Sequence, residues 1–257
     1  MAYTIDENVS GLERQKLLAQ TFNPSSIRFL DESGDLSGAK TLDLGCGIGE
    51  TSRMLAQRVG PGGSVHGIDF DPALVESAQS LNGQENITFA QGDAQALDFA
   101  DASFDVVYTR FLLVHLQEPQ AALKEMTRVC KPQGKVIVHD GDFSTIYTGP
   151  DPAGGDGINK LFTLFNNTRI GIRLWHIFRD LGYENIEFRV DRMLVRDPAN
   201  KTLAAMTVEA MREAAVQSGL MDQAEIDALC QTLRAGIDDE NYLIGFPEIY
   251  AAWIKKP

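Results

Sequence analysis

Residues 41–50 read Thr-Leu-Asp-Leu-Gly-Cys-Gly-Ile-Gly-Glu, with three glycines at alternate positions between two acids, Asp43 and Glu50. Glycine admits a left-handed backbone, and its missing side chain lets a ligand approach the main chain. Thr41 to Leu44 read as a short buried strand and Thr51 to Val59 as a helix. Gly45, Gly47 and Gly49 therefore shape a backbone pocket at a helix N-terminus. Asp69 ends the next apolar strand, where a doubly wound fold sets an acid against ribose hydroxyls. Asp93 stands at the end of the strand after that.

The spacing also selects among nucleosides. A dinucleotide site is signalled by G-x-G-x-x-G. Here Glu50 holds the third glycine's place, and Gly49 falls one residue early. Asp43 and Glu50 flank the loop and would repel a pyrophosphate, which disfavours a nicotinamide oxidoreductase. An ammonium group, a sulfonium and a neutral ribose would be welcome. S-adenosyl-L-methionine has all three.

The chain resembles the class I S-adenosylmethionine-dependent methyltransferases. The resemblance is carried, in the family's order, by Leu42 to Gly49, Gly67-Ile68-Asp69, Gly92-Asp93-Ala94, Phe104 to Tyr108 and the Leu123 to Val138 stretch. It covers roughly residues 39–142. The layout is most similar to the ubiquinone-biosynthesis-like small-molecule group, and natural-product tailoring would suit it. The resemblance implies methyl transfer to a small-molecule acceptor at oxygen, nitrogen or carbon. The alternative is a protein that binds S-adenosylmethionine without transferring methyl, as an isomerase, cyclase or sensor.

The resemblance also assigns residues. Asp43 with Gly45, Gly47 and Gly49 would hold the methionine end, and Asp69 both ribose hydroxyls. Phe70 would lie near the adenine, Asp93 would take its amino group and the Ala94 amide a ring nitrogen. Thr109, Arg110 and Phe111 would face the transferred methyl, with Arg110 bridging to a carboxylate. His115 could serve as a general base, its ordinary pKa being near neutral, or be a buried, satisfied side chain. Asp142 or Asp140 could orient a substrate hydroxyl or amine, or only make local turn bonds. Arg14 and Gln20 could reach the cofactor carboxylate as a lid closes. Arg169, Arg173 and His176 fall on one helix face and would greet an acidic substrate or form a solvated stripe.

These residues need a frame. Strands are expected at 40–44, 64–69, 86–90, 104–109 and 134–139, with helices near 50–59, 72–81 and 119–131. Such alternation makes a parallel sheet covered on both faces. The expected fold is α/β, a doubly wound Rossmann-like seven-stranded sheet. The organisation reads as an N-terminal helical cap (1–38), a cofactor-binding core (39–142), a loop, helix and strand (143–196), a helical insertion (197–241) and a last strand (242–257). The cap should be two short helices broken near Pro24. Residues 143–158 should form a Gly-rich loop, 158–181 a helix, 186–195 a strand, and 199–219 and 222–236 two helices packing over the substrate opening.

Composition excludes more than it identifies. The 257 residues carry 23 basic and 36 acidic side chains, a net charge of −13. That argues against a nucleic-acid substrate or an anionic membrane surface. Cys46, Cys130 and Cys230 form no C-x-x-C pair, so neither a zinc site nor a disulfide framework is expected, and a reducing cytoplasm is. No signal peptide or membrane span is expected. The oligomeric state is open, a homodimer among the options.

Overall fold

In the computed structural model, which describes residues 9–257, the short apolar runs pair into one seven-stranded sheet. Its strands are β1 (Lys40–Leu44), β2 (Ser64–Asp69), β3 (Ile87–Gln91), β4 (Phe104–Arg110), β5 (Cys130–Asp142), β7 (Ile186–Asp191) and β10 (Glu248–Lys255), in the order β3-β2-β1-β4-β5-β10-β7. The first five run parallel, and β10 lies antiparallel to both of its neighbours. Three short strands, β6 (Tyr147–Gly149), β8 (Leu194–Val195) and β9 (Leu243–Gly245), form a second sheet of order β6-β9-β8.

Helices bury both faces of the large sheet. On one, α1 (Val9–Glu32), α2 (Glu50–Val59) and α3 (Pro72–Ser80) pack through Phe29, Leu55 and Val75 onto Val65, Val106 and Ile137. On the other, α4 (Pro119–Val129), α5 (Ala153–Phe162) and α6 (Ile170–Asp180) cover Leu42, Val107 and Val138. Apolar residues at successive positions of these strands are what a sheet covered on both sides requires. β1 is flanked by β2 on one side and β4 on the other. The chain reverses its winding there, which opens a crevice at the carboxyl ends of the strands.

The fold class matches the sequence reading, and the differences lie where tertiary contacts override local signals. Residues 1–8 of the expected cap lie outside the described residues. The remainder is one helix with Pro24 inside it. Proline removes a single backbone donor, and Phe22, Ser26, Phe29 and Leu30 bury one face on both sides of it. The Gly-rich stretch holds β6 and the start of α5, and the expected helix at 158–181 divides into α5 and α6. The strand at 186–195 breaks after Asp191, its first part staying in the large sheet while β8 joins the small one. The helix at 199–219 is α7 (Pro198–Ala210) followed by α8 (Arg212–Gln217). The helix at 222–236 is α9 (Gln223–Ala235), opened by a capping box of Asp222 and Glu225.

The insertion braces α1, with Thr21 Oγ1 donating to Asn200 Oδ1 at 2.6 Å. It is itself pinned by Lys201, which is 1% exposed. Lys201 Nζ donates to the carbonyls of Gly236, Ile237 and Asp239 at 3.2, 3.3 and 2.7 Å, the orphan acceptors beyond the C-terminus of α9. Lys201→Met keeps the apolar stem and takes the ammonium from all three carbonyls, leaving Asp239 O with only Tyr242 N at 3.1 Å. It should lower stability by roughly 2–4 kcal/mol in urea denaturation. An unchanged midpoint would show that the ammonium contributes nothing net.

Candidate functional site

β1 ends in the glycine run, where Gly45, Gly47 and Gly49 have φ of +70°, +53° and +84°. Gly45 N and Cys46 N both donate to Ile68 O, at 2.9 and 3.0 Å, which ties the loop to the end of β2. A Cβ on Gly47 would sit 2.6 Å from Gln15 Oε1, and one on Gly49 2.6 Å from the Phe89 ring. Any other residue at these two places would be strained in backbone, would displace the Gln15 carboxamide at position 47 and would collide with the Phe89 ring at position 49.

The loop floors a cleft of about 530 Å³ at the carboxyl ends of the parallel strands. Of the residues singled out in the sequence, Gly45, Gly47, Asp69, Phe70, Asp93, Ala94, Arg110 and His115 line it. Asp69 Oδ2 accepts from Gly47 N at 2.8 Å and Oδ1 from Asp71 N at 3.1 Å. Burial holds its pKa above the ordinary carboxylate range, against those two bonds. Phe70 is 60% exposed at the rim, a free aromatic face beside Asp69. Asp93 Oδ1 accepts from Gln95 N at 2.8 Å.

Behind the loop lies a pair of buried charges. Asp43 accepts from Ser52 Oγ at 2.6 Å on Oδ2, while Oδ1 has no hydrogen-bond partner. Burial pushes its carboxyl up to about 7, with Ser52 and the Arg110 charge opposing. Arg110 is equally buried. Its guanidinium donates to Asn23 Oδ1 at 2.8 Å and Ser26 Oγ at 3.0 Å, both on α1, and makes no ion pair among the described residues. A buried anion with an unused oxygen and a buried cation without a counter-ion, each within the other's field, fit the two ends of an amino-acid zwitterion. The cradle therefore suits the methionine head of S-adenosylmethionine, and Asp69, Phe70 and Asp93 suit its nucleoside.

The expected catalytic residues fare differently. His115 lines the cleft with its ring edge-on to Phe165 at 4.8 Å. Burial and the nearby Arg14 push its pKa down to about 4, so the imidazole is neutral near pH 7 but weakly basic. Asp142 does not line the cleft. Ser144 donates to its Oδ1 through Oγ at 2.5 Å and N at 3.1 Å, and Arg169 Nε to its Oδ2 at 3.1 Å. Local turn bonds and a salt bridge have claimed it. Asp140, also buried, takes Gly141 N and Val114 N. Arg173 and His176 point to solvent.

The roof was only partly legible. Gln20 is exposed, whereas Gln15 Oε1 accepts from Ile48 N at 3.3 Å, and Gln15 and Leu18 line the cleft. Asn166 also lines it unannounced. Polar Asn23 and Ser26 on the core-facing side of α1 were the signal for the Arg110 contact. Neither residues 143–158 nor 197–241 contribute to the lining, so the insertion covers this opening only through the helix it supports. Among the described residues, no group of three or more His, Cys, Asp or Glu could hold a metal ion, and no helix is long and apolar enough to cross a membrane.

Residues 42–138 match the family model described as a methyltransferase domain. The chain is 40% identical over 116 residues to the demethylmenaquinone methyltransferase of Lactococcus lactis, a stretch of 44% of this chain and 46% of that protein. It thus spans about half the length of the curated relatives it matches. Among solved structures it resembles the Haemonchus contortus phosphoethanolamine N-methyltransferase 2 bound to S-adenosyl-L-methionine, with TM-score 0.61, 20% identity, and coverage of 100% of this chain and 61% of that one. The YcgJ protein of Bacillus subtilis is similar at TM-score 0.58 and 19% identity, covering 89% and 97%. At these identities the two structures establish the fold alone.

The buried titrating groups give the site a pH signature. Asp140, like Asp43, is pushed up to about 7 by burial. A raised acid keeps its proton longer when folded, so its contribution to stability is complete below about pH 4 and lost as the pH climbs through 7. His115 and His139 are lowered, so theirs is complete above about 6.5 and lost as the pH falls. Asp140→Asn keeps an oxygen for Val114 N and removes the alkaline loss. Its stability relative to the parent should rise by about 1–3 kcal/mol between pH 5 and pH 8 in urea titrations. A difference independent of pH would refute this.

Proposed function

We propose that this chain, whose core is that of a class I S-adenosylmethionine-dependent methyltransferase, transfers the methyl group to a flat, apolar small-molecule acceptor. The observation that carries the reading is the convergence of Gly45, Gly47, Asp69, Phe70, Asp93 and Arg110 on one cleft, with Asp43 beneath its floor. The carboxylate of Asp69 accepts the ribose hydroxyls, Phe70 covers the adenine, and Asp93 with Ala94 reads its edge. Asp43 and Arg110 hold opposite ends of the methionine head, and Gln15 closes over the loop.

Bound S-adenosylmethionine supplies an electrophilic methyl group on a good leaving group. The protein's task is alignment, which is worth several orders of magnitude in rate when the attacking atom is held in line. The wall beyond Arg110 is built for that. Phe111 lines the cleft in a left-handed conformation, φ +53°. Its ring meets Phe22 at 4.9 Å and Phe143 at 5.8 Å, and Leu18, Leu112 and Leu116 complete the apolar lining. Rings and leucines favour a planar acceptor over a charged one. Demethylmenaquinone, named for the relatives, is the acceptor to try first. His115 lines the cleft beside this wall, and we assign it to the acceptor's proton.

Two measurements test the assignment. Asp69→Ala should weaken S-adenosylhomocysteine binding at least tenfold by calorimetry in a folded variant, because charge-assisted bonds to two hydroxyls are lost. Unchanged affinity would reject the ribose role. With methyl-labelled cofactor and demethylmenaquinone-type or phenolic acceptors, label should appear in product, and His115→Ala should lower turnover by roughly 10²-fold with cofactor affinity kept. Near-normal turnover would leave alignment as the whole of catalysis. Binding without label transfer to any acceptor would favour an isomerase, cyclase or sensor instead.

A further inference from the structure

The stretch after β4 that forms the apolar wall, residues 111–116, has no regular secondary structure to hold it. Three of its successive carbonyls are taken instead by the connection between α5 and α6. Asn167 N donates to Val114 O at 3.0 Å, Asn166 Nδ2 to His115 O at 2.5 Å, and Asn167 Nδ2 to Leu116 O. The residue just before them, Phe165, is buried and sets its ring at 78° to the His115 imidazole. Asn167 is itself oriented by Arg173, which donates to its Oδ1 at 3.3 Å. From the sheet side, Val114 N donates to Asp140 Oδ2 at 3.3 Å.

We infer that Phe165, Asn166 and Asn167 are positioning residues for His115, fixing its main chain by carboxamide clips and its ring by an aromatic edge contact. This rests on the assignment of His115 to the acceptor. Carboxamide donors do what water cannot, because each is anchored by the chain and lands on one carbonyl only. A ring wedge and a backbone clip on the same residue leave the imidazole little rotational freedom toward the cleft. Among the described residues, the charges around it include Arg14 from α1, Asp140 from β5 through the Val114 amide, and Arg173 from α6 through Asn167. A loosened loop would carry the ring away from Arg14 and into water, and both changes raise its pKa.

The test reads the imidazole directly and needs no acceptor. In imidazole-labelled protein, NMR titration should place the His115 midpoint near 4. Asn166→Ala, whose side chain is exposed, and Phe165→Leu, which keeps apolar volume, should each move it upward by at least a pH unit toward the ordinary 6.5. His66 and His139, away from the clip, should keep their lowered midpoints. An unmoved His115 midpoint in both folded variants would overturn the inference. A moved midpoint combined with normal His115→Ala turnover would uphold the positioning role and discard only the assignment of His115 as base.

Discussion

Two opposite charges sunk beneath the same face of the sheet, Asp43 and Arg110, are the constraint around which the remaining structure is arranged. Each would be costly alone in a dry interior. Asp43 is relieved by Ser52 on α2 and by partial neutralisation, and Arg110 by Asn23 and Ser26 on α1. Two of the three helices that cover this face, α1 and α2, thus serve the charges as much as the apolar residues packed with them. The same polar row continues to His139, whose Nδ1 lies 2.9 Å from Ser26 Oγ. The sheet interior here is organised to hold charge ready for a ligand.

From that constraint the architecture of the cleft follows. The loop beside Asp43 alternates glycines with Cys46 and Ile48, so three of its five residues carry no side chain. The ends of β2 and β3 bring Asp69 and Asp93 to the same crevice, and the end of β4 brings Arg110. α1 must cross the mouth, since its polar residues are needed at Arg110, and the turn preceding them then lays Gln15 and Leu18 over the opening. The acceptor side is made of different material, rings and leucines clipped in place by asparagines. One end of the cavity presents acids, a guanidinium and main-chain groups, and the other presents apolar side chains.

How much of this was legible depended on how local the signal was. That Gly45, Gly47, Asp69, Phe70, Asp93 and Ala94 share one cleft was readable because strand, turn, helix and next strand end lie within a short span of chain. The parallel strands were readable from unbroken apolar runs such as Val136 to Val138. The helix through Pro24 was misread because one lost backbone bond is a small matter beside a buried face. The break after Asp191 was missed because the choice of sheet for β8 is made by β9, far downstream. Asp142 and Gln15 show the same limit at the site. Whether a carboxylate faces the cleft was decided by Arg169, and whether a glutamine reaches the loop by the docking of α1. Neither choice leaves a periodicity or a spacing behind.

The crossing of α1 has a bearing on how the molecule acquires its form. Ser26 meets Arg110 across 84 residues of chain, and Thr21 meets Asn200 across 179. Loop-closure entropy slows such distant pairings, as it does the pairing of β10 with β5, whereas β1, α2 and β2 need only their neighbours. The seating of α1 therefore depends on β4 for Arg110 and on α7 for Asn200, both far from it in the chain. The roof of the crevice is consequently less local in sequence than its floor, which needs only the glycine run and the end of β2.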